Sequence, residues 1–120
     1  MPGHPVTQAF RFTLELVALV AFAFWGWTAH AGVSRVAWAV GLPLLAAALW
    51  GVFRVPGDPG DAPVAVPGAV RLLLELVVFG AAVWLLAAAG RPLFAGAFGV
   101  LVALHYLTDA RRVRWLLAQR

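Results

Sequence analysis

Four apolar runs, 12–29, 36–53, 72–90 and 92–108, leave this chain few ways to fold. Each is 17–19 residues long, close to the ~20 that a helix needs to cross a hydrocarbon core. Glu15 and Glu75 are the only formal charges inside the four runs. None shows the alternation of a half-buried strand, and lipid cannot satisfy an open backbone, so helices are the expected form. The rest of the composition agrees. Apolar residues make up 63% of the 120 residues and charged residues 12%, against roughly 45–50% and 25% in soluble domains. That excludes an ordinary soluble enzyme or a disordered segment. The net charge of +4 comes from nine arginines, most of them beside the apolar runs. This is how membrane flanks are built, and it is unlike the basic stripe that tracks nucleic acid. With no cysteine, disulfides, thiolate metal sites and cysteine nucleophiles are excluded.

The connections fit four crossings. Gly32 lies in a short turn between the first two runs, and Gly90-Arg91-Pro92 forms another, with Pro92 suited to a first helical turn. Short turns force antiparallel neighbours. The longer link from Arg54 to Val70 holds Pro56, Pro59, Pro63 and Pro67 with Gly57, Gly60 and Gly68, and reads as an extended surface loop. Pro43 is expected to kink the second helix. The expected fold is all-α: an integral membrane four-transmembrane-helix bundle with antiparallel neighbours, one transmembrane domain over 1–120. Its helices should span 10–29, 35–53, 70–89 and 92–109. Residues 110–120 form a basic tail suited to anionic lipid headgroups. Ala29-His30-Ala31 resembles a leader-cleavage site, but the length of the preceding run and Glu15 within it argue against a leader.

Arginine counting gives the orientation. Arg11, Arg54, Arg71, Arg111, Arg112, Arg114 and Arg120 share one side and Arg35 and Arg91 the other, seven against two. Both termini are therefore expected in the cytoplasm of a multi-pass inner-membrane protein. An internal repeat is also present. Arg11, Leu14, Glu15, Leu16, Val17 and Ala21 reappear sixty residues on as Arg71, Leu74, Glu75, Leu76, Val77 and Ala81. The first and third helices would then form a parallel two-helix pseudo-repeat about an axis along the membrane normal.

The motif Arg11-Phe12-x-Leu14-Glu15-Leu16 leading to Trp25-Gly26 resembles the opening of the YrdB family of small bacterial membrane proteins. The likeness continues through Pro43-Leu44-Leu45-Ala46-Ala47-x-x-Trp50-Gly51-x-Phe53-x-x-Pro56 and Arg71-Leu72-Leu73-x-Glu75-Leu76-x-x-Phe79-Gly80. It covers roughly residues 10 to 108. It implies the four-helix fold and carries over no activity.

Each intramembrane Glu lies one turn beyond an Arg. A carboxylate there costs ~2.5–3.5 kcal/mol at mid-helix and less near an end, so it should face protein or water. Arg11–Glu15 and Arg71–Glu75, or crossed partners, would clamp helices one and three. His105 and Tyr106 near the end of the fourth helix come to the same depth as Glu15 and Glu75. Together the six residues are candidates to bind a proton, an ion or a small-molecule ligand. His105 reads equally as an interfacial residue bonded to a backbone carbonyl. Nothing calls for a metal or cofactor, and His4 and His30 earn no role. Ala47-x-x-x-Gly51 and Ala95-x-x-x-Gly99-x-x-x-Ala103 suit helix packing, with homo-oligomerisation as a lesser use.

Three functions follow: a transporter- or channel-like permeation or ligand-binding unit, a membrane-embedded enzyme with Glu as general acid or base, or a structural accessory protein. A carboxylate in the first of four short helices is similar to the small multidrug resistance family, whose flanking motifs this chain lacks. The bilayer is the expected partner and nucleic acid is not. The topology is directly testable because the chain lacks cysteine. A cysteine at Gly60 should stay unlabelled by an impermeant thiol reagent in intact cells and react once they are opened, and labelling from outside would reverse the orientation.

Overall fold

The structure, a computed structural model, describes residues 5–58 and 61–120; His4, Pro59 and Gly60 lie outside them. It is built from α1 (Pro5–Thr28), α2 (Gly32–Val52), β1 (Phe53–Arg54), β2 (Val64–Ala65), α3 (Gly68–Ala88), α4 (Pro92–Thr108) and α5 (Ala110–Ala118). Helices α1, α2 and α3 are each long and apolar enough to cross a membrane. A fourth span exists if α4 and α5, bent by 69°, count as one broken crossing.

The turns form where glycine permits them. Gly32 and Gly90 have φ of 64° and 79°, a region that costs other residues a clash with Cβ. At Gly90 the chain closes α3 with two backbone bonds, Gly90 N–H to the Ala87 carbonyl at 3.1 Å and Arg91 N–H to Leu86 at 3.0 Å. These are the paired bonds of a Schellman stop. Pro92 then opens α4. In α2 the helix runs unbroken through Pro43.

The apolar core is narrow. It is made by Leu14, Ala18, Ala21 and Phe22 of α1, Ala46 of α2, Val78, Phe79 and Ala82 of α3, and Phe98 of α4. Alanines at the crossing points let the helices approach closely, which is how bundles gain contact when lipid supplies no hydrophobic drive between helices. Helix α1 packs against both α2 and α3, whereas α2 and α3 barely touch. The small-residue stripe expected to pack α2 does not do so. Ala47 and Gly51 are exposed, and a side chain at Gly51 would meet nothing within 4 Å.

Two segments depart from the sequence reading. The Pro-rich link is not simply a surface loop. β1 and β2 pair in parallel, Phe53 with Val64 and Arg54 with Ala65, and the link buries Val55 and Asp58. The basic tail is the helix α5, docked across the start of α3. Arg112 and Leu116, one turn apart, form its buried face. The Gly68 N–H, one of the donors that a helix start leaves without an internal partner, is taken by the Gln119 carbonyl at 2.9 Å.

That docking needs a glycine. A Cβ on Gly68 would lie 1.5 Å from the Leu116 carbonyl oxygen, backbone against backbone. Gly68→Ala should therefore destabilise the protein by about 1–3 kcal/mol through overpacking. Gly80→Ala, where a Cβ meets nothing within 4 Å, should be neutral or gain up to about 1 kcal/mol of helix propensity. Thermal unfolding in detergent compares the two, and equal melting temperatures would mean that α5 does not dock.

Candidate functional site

The two Arg–Glu turns of the repeat have different fates. In α3 the expected pair forms within one helix, Arg71 Nε donating to Glu75 Oε2 at 2.8 Å. Arg71 also donates through Nη1 to the carbonyls of Trp50 and Phe53, the latter at 2.9 Å. Its guanidinium lies 4.6 Å from the centre of the Trp50 ring. Arg71 thus ties the last turn of α2 to the first turns of α3.

Arg112 of α5 completes the cluster. Its Nη1 and Nη2 donate to Glu75 Oε1 and Oε2 at 3.0 and 2.6 Å. Nε and Nη2 donate to Asp58 Oδ1 and Oδ2 at 3.0 and 2.6 Å. Tyr106 of α4 donates its hydroxyl to Glu75 Oε1 at 2.7 Å. Glu75 therefore accepts four hydrogen bonds, two on each oxygen, which is the full capacity of a carboxylate. Glu75 and Arg112 are 0% and 1% exposed, so the cluster is closed to bulk solvent. Asp58, in the link between α2 and α3, feels opposing forces. Burial works against its charge, but the bonds and charge of Arg112, with Arg11 and Arg71 nearby, outweigh that and hold its carboxyl below the usual range.

In α1 the expected Arg11–Glu15 pair does not form. Arg11 turns to Asp58, with Nη1 3.5 Å from Oδ1. This is a long contact to a carboxylate that Arg112 already holds twice. Among the described residues Glu15 makes no hydrogen bond and no ion pair within 4.0 Å. It is half-buried on the wall of a cavity of about 490 Å³ between α1, α2 and α3. Gln8, Arg11, Arg54 and Arg71 make the polar end of that cavity with Glu15, and Leu19, Ala46 and Val78 its apolar end. The exposed Ala47 and Gly51 leave space on the α2 wall.

His105 is fully buried, and neither ring nitrogen has a hydrogen-bond partner among the described residues. It therefore does not bond a backbone carbonyl. Its ring meets Phe10 and Tyr106 edge-on, with centroids 5.7 and 4.9 Å apart. At the opposite end, His30, given no role by the sequence, stacks on Trp38 with centroids 4.8 Å apart. Its Nδ1 lies 2.9 Å from the Gly26 carbonyl, which only a protonated Nδ1 can satisfy. Trp25 meets both His30 and Trp38 edge-on, so these aromatic rings fasten the α1–α2 turn.

Asp58 and Arg112 are the site residues that sequence reasoning missed. Nothing local separates Asp58 from Asp61, three residues on in the same loop. For Arg112 one signal existed. The four-residue step from Arg112 to Leu116 puts an arginine on the apolar face of a short helix, where Arg111 and Arg114 do not lie.

The profile of a family described as a protein of unknown function (DUF2568) matches residues 9–103. The uncharacterized protein YrdB of Bacillus subtilis (strain 168) is 37% identical over 112 residues, covering 91% of each chain. No solved structure matches. Arg112 falls outside residues 9–103, the segment the family profile matches, whereas Asp58, Arg71, Glu75 and the cavity residues Arg11, Glu15 and Trp50 fall within it.

Removing Arg112 tests the cluster. Arg112→Leu strips the Asp58 carboxylate of the two hydrogen bonds it accepts from Arg112 and Glu75 of two of four, and should cost about 3–5 kcal/mol. Adding Asp58→Leu removes the stranded carboxylate, so the double variant should lose less than the sum of the singles in detergent unfolding. Strict additivity would show that the two groups do not share a network.

Proposed function

The chain belongs to the YrdB family, DUF2568, and from that membership and the geometry above we propose that it is a multi-pass inner-membrane protein that binds a small amphiphilic ligand. In this reading four spans cross the bilayer, α4 with α5 forming the broken fourth. Neighbouring spans run antiparallel and both termini are cytoplasmic. Of the functions open to the sequence, a ligand-binding unit fits better than a through-channel. The buried Arg71–Glu75–Arg112–Asp58 cluster sits at one end of the bundle with its groups bonded to one another, which favours a closed site over an open pore.

The observation that carries the proposal is Glu15. An intramembrane carboxylate is costly unless partnered. Here it lines a cavity of about 490 Å³, inside the ~300–1,000 Å³ range of small-molecule sites, and among the described residues it has no cation at bonding distance. Glu75, by contrast, has no lone pair to offer and serves as structure. A ligand entering with a cationic head would give Glu15 its counter-charge, while its apolar part would lie against Leu19, Ala46 and Val78.

Because the chain lacks cysteine, Gly51→Cys puts a single thiol on the cavity wall where a side chain has room. Dodecylamine should slow its alkylation by a maleimide saturably. Dodecanol, of the same length without a charge, should protect poorly, and Glu15→Gln should reduce dodecylamine to the level of dodecanol. Equal protection by the amine and the alcohol would remove Glu15 from the binding role.

A further inference from the structure

The cavity shows more about its ligand than the need for a cation. Glu15 is joined there by Arg11, and the two stand one turn apart on α1, about 6 Å along its axis. Among the described residues Arg11 has one ion pair, the 3.5 Å contact with Asp58, and no hydrogen bond. A guanidinium has five N–H donors in a planar fork that suits carboxylates and phosphates. It is 12% exposed and faces the same space as Glu15. One wall of the cavity therefore presents an acceptor for an ammonium beside a donor fork for an anion. Arg54 and Arg71 also line this end.

The apolar end adds a second constraint. Leu19, Ala46, Ala47 and Val78 continue the cavity toward the middle of the bundle. Its α2 and α3 walls barely touch one another. A ligand with its polar head at Glu15 and Arg11 would extend its chains along these apolar side chains and out between the two helices.

We propose, resting on the binding role given to this cavity, that its ligand is a zwitterionic phospho-amine: a primary ammonium held by Glu15, with a phosphate beside it held by the Arg11 guanidinium. An ammonium and a phosphate separated by two carbons span the one-turn step. A trimethylated ammonium does not serve, because it keeps the charge but donates no hydrogen bond to the carboxylate. The same head occurs on a membrane lipid, phosphatidylethanolamine, and free in solution as phosphoethanolamine.

The Gly51→Cys protein, reconstituted in phosphatidylcholine vesicles, separates these sources. Adding phosphatidylethanolamine should slow maleimide alkylation by about tenfold, the equivalent of one charge-assisted hydrogen bond. Phosphatidylglycerol, with phosphate but no amine, should not. Glu15→Gln should abolish the preference for ethanolamine over choline while the protein keeps its unfolding temperature, since Glu15 takes no part in the Arg112 cluster. Protection by soluble phosphoethanolamine equal to that by the lipid would assign the site to the free compound, and protection by the lipid alone would assign it to the membrane; either supports the phospho-amine head. If dodecylamine protects but ethanolamine and choline lipids act alike, the phospho-amine is wrong and the amphiphile site stands. If neither dodecylamine nor any lipid protects, both fall together.

Discussion

The structure depends on the way the Glu75 carboxylate is satisfied. A charged group in a bundle this thin has no water to fall back on, and its cost is met only when every lone pair is filled. Four elements contribute to that end. Arg71 comes from the same helix, Tyr106 from α4, Arg112 from α5, and Asp58 from the α2–α3 link holds Arg112 in place. Each bond also fixes the element that supplies it. The narrow, alanine-rich core brings the helices together, and the carboxylate sets where their ends must lie.

This explains why an internal repeat does not yield two equivalent sites. Arg11 and Glu15 have the same spacing as Arg71 and Glu75, yet α5 and the folded link occur once. They dock on the α3 copy and saturate it. Arg11 is drawn to Asp58, and Glu15, with no ion pair or hydrogen bond among the described residues, lies beside open space. One copy became a fastening. The other kept a loosely held guanidinium and a carboxylate with no ion pair among the described residues, the combination on which the proposed binding role rests.

The helical character and the apolar spans were legible from the four runs, because lipid leaves the backbone so few options. The four-residue step offered Arg11–Glu15 and Arg71–Glu75 alike, or crossed partners, and only the second pair forms. The role of the tail was not. By composition α5 is a basic surface helix, and only its three-dimensional contact with Gly68 turns Arg112 inward. The same holds for Ala47 and Gly51. Their spacing suits helix packing, but α2 turns them toward a cavity, and small residues make room as readily as they make contacts. The burial of Asp58 depends on a two-residue strand pairing that a proline-rich link does not advertise.

The position of Arg112 also bears on how the molecule is made. Chains emerge N-terminus first, so α1 to α4 are synthesised before the guanidinium that completes the cluster. Until then Glu75 has its own counter-ion, Arg71, one turn away on the same helix, so α3 forms as a helix of no net charge. Asp58 waits in the connecting link, outside the apolar helices. Only when α5 folds back across Gly68 are the two carboxylates joined, so a helix made after α1 to α4 is the one that locks their ends together.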